Sequence, residues 1–184
     1  QKSLAALLID LENLYYSLAD EYYAPADVTM TVLQTVREHM LEKLNLSPVI
    51  GKAYAPFDYS IARVLMNDLA LMGISPVHVL AFAKKNSADL MLAIDAMEIL
   101  FKRTDINTFV IVGGDRDYIP VVERIRQNAK NMLIVSPRSA LSGDLLTIVG
   151  QENYLDPLAI VPKDRIRIKE SVEEPVPRVP IQPP

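Results

Sequence analysis

Leu4-Ala5-Ala6-Leu7-Leu8-Ile9-Asp10-Leu11-Glu12-Asn13 is the stretch on which the fold turns. Six apolar residues in a row, stopped by a carboxylate, read as a strand covered on both faces, the condition of a parallel sheet packed between helices. Ligands of such sheets bind beyond the carboxyl ends of the strands, which is where Asp10, Glu12 and Asn13 fall. A second stretch repeats the design: Phe109 to Val112 is apolar and runs into Gly113-Gly114-Asp115-Arg116-Asp117. Both acidic stretches are therefore expected to face one crevice.

Working outward, further apolar runs occur at Val49 to Tyr54, Val77 to Phe82 and Met132 to Val135. Segments of helical period separate them: Leu14 to Ala19, Met30 to Leu44, Ser60 to Met72, Ala88 to Phe101, Tyr118 to Asn128 and a weaker one near Leu141 to Val149. Repeated β-α units of this kind predict an α/β fold with a five-stranded, mostly parallel sheet. Thr29 and Ser60 are expected as N-caps, and Gly73 as a left-handed helix end. Beyond Pro162 the composition changes, and five of the last ten residues are proline, which excludes packed helix or central strand. The expectation is one domain over residues 1–160 and a proline-rich, disordered linker or tail over 161–184. The chain begins at Gln1 rather than Met, as a piece cut from a longer protein would.

Composition narrows the chemistry. The 184 residues include no cysteine and two histidines, which removes thiol nucleophiles and thiolate zinc sites and leaves oxygen as the main metal donor. Oxygen donors suit magnesium or manganese. Residues 1–162 carry 14 Lys and Arg against 19 Asp and Glu, a net of −5, and five carboxylates (Asp10, Glu12, Asp89, Asp115, Asp117) equal that excess. Gathered around divalent ions, they would leave a nearly neutral body rather than the broad basic face of a nonspecific nucleic-acid binder. No run reaches the ~18 apolar residues of a membrane helix or the pattern of a signal peptide, so a cytoplasmic protein is the default expectation. Neither a Walker glycine loop nor a serine-nucleophile signature occurs.

Each carboxylate has an ordinary explanation when taken alone. Asp10 and Asp117 stand where helix caps stand, and Asp89 could complement the dipole of the helix it opens. Together they need more, because a cap takes one carboxylate and not two, and four converging carboxylates repel one another unless a cation compensates. Asp95, six residues past Asp89, points about 240° around the helix and is expected in a structural salt bridge with a lysine. Tyr15 and Tyr16 are candidate stacking faces for unpaired bases. His39 is expected exposed, His78 in the core, and Met66, Met72, Met91 and Met97 at core-facing positions.

Three blocks carry a family resemblance: Leu8-Ile9-Asp10-Leu11-Glu12-Asn13; Lys85-Asn86-Ser87-Ala88-Asp89-Leu90 continuing to Ile94-Asp95-Ala96-Met97; and Val112-Gly113-Gly114-Asp115-Arg116-Asp117-Tyr118-Ile119-Pro120. In this order they resemble the NYN domain, the LabA-like branch of the PIN-like nuclease superfamily, over about residues 4 to 160. The resemblance implies a PIN-like three-layer α/β/α sandwich and a Mg2+- or Mn2+-dependent ribonuclease. It assigns the metal site to Asp10, Asp89, Asp115 and Asp117 and an orienting role to Asn13. Lys84, Lys85 and Arg116 become candidate contacts to substrate phosphates, and Asp58 an outside candidate for the site. Two positions depart from the family pattern, Gly113 where serine is common and Tyr118 where phenylalanine is usual. The partner implied is RNA in single-stranded form, with a non-catalytic RNA-binding module as the alternative and a C-terminal LOTUS-type domain as a possible companion.

Overall fold

The computed structural model describes residues 1–57, 60–80 and 87–169. Six parallel strands form one sheet: β1 (Ser3–Asp10), β2 (Leu46–Ala55), β3 (Ser75–His78), β4 (Thr108–Val112), β5 (Asn131–Val135) and β6 (Tyr154–Leu155), in the order β3-β2-β1-β4-β5-β6. The sheet has six strands, not the five expected. The extra one is two residues long, pairs Tyr154 with Ile134 and Leu155 with Val135, and is too short for any periodicity to register.

Alternation along β1 builds two cores. Ala5, Leu7 and Ile9 join Val110, Val112 and Val135 on the face covered by α1 (Leu11–Ala19), α2 (Pro25–Glu42) and α3 (Ser60–Leu71). Ala6 and Leu8 join Phe109, Ile111 and Ile134 on the face covered by α4 (Ala88–Lys102), α5 (Ile119–Gln127) and α6 (Gly143–Val149). This is the three-layer α/β/α sandwich, and burial on both faces is why β1 and β4 contain no polar residue before their last or first positions. By the same period of two, Asp10 lies on the side of Ala6 and Leu8, toward α4.

Several local expectations change. Helix α2 starts at Pro25, a first-turn position where the missing N–H costs nothing, so Thr29 is an interior residue whose hydroxyl donates to the Pro25 carbonyl at 2.7 Å instead of capping. Ser60 is the first residue of α3 itself. Strand β3 ends at His78, which is exposed rather than in the core, with its Nδ1 accepting the Phe57 N–H at 3.1 Å. His39 is half-buried. Met72 and Met97 pack on the core, but Met66 and Met91 are exposed. Gly73 does take the left-handed conformation, φ +74°.

Residues 161–169, the part of the expected tail that lies within the described residues, continue along the body. Val161 is buried, Ile166 packs on the core, and Ile168 bridges to Tyr22, with the Tyr23 N–H donating to the Arg167 carbonyl at 2.9 Å. Among the described residues no helix is long and apolar enough to cross a membrane.

Candidate metal and catalytic site

Strand order reverses about β1, so the carboxyl ends of β1 and β4 flank the point where crossovers diverge to opposite sides, the usual place for a ligand in such sheets. Asp10 ends β1 here and is 3% exposed. One carboxylate oxygen accepts the Asn13 N–H at 3.0 Å, capping α1; the other accepts the Tyr118 hydroxyl at 2.7 Å. The capping role expected of Asp10 is realised, and the same side chain also accepts from a residue on a distant turn.

Tyr118 reaches Asp10 because Gly113 has no side chain. A Cβ at Gly113 would lie 2.8 Å from Tyr118 Cε2 and 3.5 Å from the Asp10 Cβ, so serine at this position would collide with the ring as it sits. Gly114 is equally constrained, since a Cβ there would run into the Ala140 carbonyl oxygen. Both glycines serve close approach; the positive-φ glycines among the described residues are Gly73 and Gly150.

Burial dominates the electrostatics. It pushes the Asp10 carboxyl up from 3.8 to about 6, against the two hydrogen bonds that favour its charge and with the nearby charges of Asp89 and Glu12 adding to the rise. Burial also raises Glu12. The Tyr118 hydroxyl is held far above its ordinary value, first by burial and then by Asp10, Asp89 and Asp115, so it stays a neutral donor. Tyr118 touches Asp10 and feels the charge of all three aspartates. Sequence reading took Tyr118 only as a departure from a pattern; nothing local signals a hydrogen bond spanning 108 positions.

The remaining expected residues distribute as follows. Asp89 opens α4, is half-buried, and accepts the N–H of Leu90 at 3.0 Å. Asp115 caps the 3-10 turn Arg116–Tyr118, accepting the Asp117 N–H at 3.4 Å, and both aspartates are exposed. Arg116 is exposed and 3.8 Å from Asp144. Asn13 contributes its backbone N–H to Asp10. Asp95 stands apart in a buried network, accepting Lys52 Nζ at 2.9 Å and the Tyr54 hydroxyl at 2.7 Å, the structural ion pair expected of it. Asp58, Lys84 and Lys85 lie outside the described residues.

Among the described residues no three carboxylate or imidazole groups are close enough, as they stand, to hold one ion between them. The donor chemistry nevertheless fits a hard cation. Asp10 is buried at the end of β1 with the charges of Asp89 and Glu12 acting on it, all candidate donors are oxygens, and Arg116 lies by Asp144.

A parallel α/β/α sandwich with acidic residues at the carboxyl ends of β1 and β4, where strand order reverses, fits a PIN-like fold. The NYN domain model matches residues 4–149, and the chain belongs to the NYN domain family, within the PIN-like nuclease superfamily. It is also similar to a crystal structure of a protein of unknown function from Vibrio parahaemolyticus, with a TM-score of 0.64 and 21% identity over 84% of this chain and 92% of that one, a likeness that bears on fold alone. Among curated proteins no match is found.

Proposed function

We propose that the chain is a divalent-metal-dependent ribonuclease that hydrolyses phosphodiester bonds in single-stranded RNA. The observation that carries the reading is Asp10: a carboxyl at the reversal point of the sheet, 3% exposed, beside Asp89 and Glu12 and ionised only at the cost of burying uncompensated charge. Magnesium or manganese is the proposed ion, with Asp10, Asp89, Asp115 and Asp117 as its holders. Such an ion supplies Lewis acidity to the phosphodiester and its attacking water, and compensates the gathered carboxylates.

The chain's own groups have assigned roles. Tyr118 fixes the orientation of Asp10 through its hydroxyl, and the Asn13 N–H fixes the second carboxylate oxygen, each oxygen keeping a further lone pair. Asp115 and Asp117, exposed on the turn that leads into Tyr118, would supply further oxygen donors to the ion. Arg116 is proposed to meet a substrate phosphate, exchanging its long contact with Asp144 for a stronger one. In the hydrolysis, water oxygen bonds to phosphorus and the bond to the 3′ oxygen breaks, giving a 3′-hydroxyl and a 5′-phosphate.

Cleavage of a fluorescent single-stranded RNA in manganese, native chain against Asp115→Asn, tests the reading. Loss of about 10²-fold or more in rate is expected from removing a group that acts on the charge developing in the transition state. Equal and negligible rates would select the second reading, a module that binds RNA without cutting it. That reading draws support from the absence of a ready three-group set among the described residues.

A further inference from the structure

Helix α4 is apolar on both sides. Its inner face buries Ala88, Leu92, Ala96, Ile99 and Leu100 against the sheet and α5. Directly opposite, Leu90 is 64%, Ile94 53% and Phe101 64% exposed, with half-buried Met97 between them. At 100° per residue these four fall in a stripe roughly 60° wide running most of the helix length. A surface helix normally turns a polar side outward, and one that is apolar all round is normally covered. The charged residues beside the stripe, Glu98 and Lys102, pair with each other at 2.6 Å and do not interrupt it.

We propose that α4 is a self-association face, pairing antiparallel with α4 of a second copy of this chain across a two-fold axis. Two observations select a second copy over a different partner. First, the spacing of Leu90, Ile94, Met97 and Phe101 is four, three, four, which reads the same in both directions. A reversed copy therefore sets Leu90 of one chain against Phe101 of the other and Ile94 against Met97, the self-complementarity that an isologous contact demands. The spacing is also that of a coiled-coil seam, and the antiparallel arrangement aligns the two helix dipoles favourably. Second, the area suits a reversible dimer. The exposed parts of Leu90, Met91, Ile94 and Phe101 amount to roughly 400 Å² per copy, the size of patches that are functional on monomers. Two such patches, with the stems of Glu98 and Lys102 at the rim, come to about 1,000 Å², the lower bound of specific interfaces.

Sedimentation velocity across a dilution series tests this on the whole chain, with Ile94→Glu as the variant. Because Ile94 is more than half exposed, that variant keeps the native far-UV spectrum. The native chain is expected to approach twice its 20.5 kDa mass as concentration rises, and Ile94→Glu to stay monomeric throughout. The register is read by disulfide trapping, which is clean because the chain has no cysteine of its own. Leu90→Cys mixed with Phe101→Cys should give a mixed disulfide dimer, whereas Leu90→Cys alone should not, its two sulfurs lying about 16 Å apart along the axis. A native chain that is monomeric at every concentration would leave the face to some other occupant and overturn the proposal. Efficient self-trapping of Leu90→Cys would overturn the antiparallel register.

Discussion

Replacing Asp10 with asparagine is expected to make the metal-free protein more stable while removing its function. The folded chain holds the Asp10 carboxyl near 6 against 3.8 in the unfolded chain, because the ionised form must be buried beside Asp89 and Glu12. A raised carboxyl gives stability that is complete below the unfolded value and lost as pH rises through the folded one. The difference of 2.2 units corresponds to about 3 kcal/mol at 1.36 kcal/mol per unit, an order-of-magnitude figure. Asparagine mimics the neutral acid. Its carbonyl can accept the Asn13 N–H and its amide can donate to the Tyr118 oxygen, but the Tyr118 O–H then loses its acceptor, a cost of about 1–3 kcal/mol that does not vary with pH. Thermal melts in EDTA should therefore show Asp10→Asn gaining on the native chain by roughly 6–12 °C between pH 4 and pH 8 for a protein of this size. A stability difference that stays constant between pH 4 and pH 8 would refute the claim that burial of the charge governs this side chain.

Other consequences are separately measurable. Tyr118→Phe removes one hydrogen bond that favours ionised Asp10, so the Asp10 titration should move further up and Mn2+ affinity fall about 10- to 100-fold in a calorimetric titration. Asp95→Ala strips the partners from Lys52 and from the buried Tyr54 hydroxyl and should cost about 1–3 kcal/mol in urea unfolding, with Mn2+ affinity unchanged. Gly114→Ala forces a methyl against the Ala140 backbone and should cost about 1–3 kcal/mol, whereas Gly143→Ala, with open space around it, should be neutral or slightly stabilising in the same assay.

How much of this was legible in the sequence depended on how local each cause is. Strands β1, β4 and β5 announce themselves because both faces are buried, which turns two-sided packing into an unbroken apolar run. Strand β2 is longer than its apolar core, extending back to Leu46 through Ser47 and Pro48, and β6 is two residues, below the length at which any period exists. Helix α2 starts four residues ahead of Thr29, because Pro25 carries a stronger start signal than the threonine that resembles a cap. At the candidate site, the position of Asp10 at a strand end follows from its sequence neighbours, but its partner Tyr118 depends on a glycine elsewhere in the chain having no side chain. The Lys52–Asp95 pair shows the same limit: helical geometry turns Asp95 away from Asp89, yet only tertiary packing selects a lysine on β2 as its partner.

The central claim, that the acidic residues gathered around Asp10 hold a divalent cation, is tested most directly by counting free Mn2+ by electron paramagnetic resonance during a titration at pH 8. The native chain should remove Mn2+ from solution in stoichiometric amount, and Asp10→Asn, folded and at least as stable, should leave it free. Equal uptake by both chains, or none by either, would contradict the account.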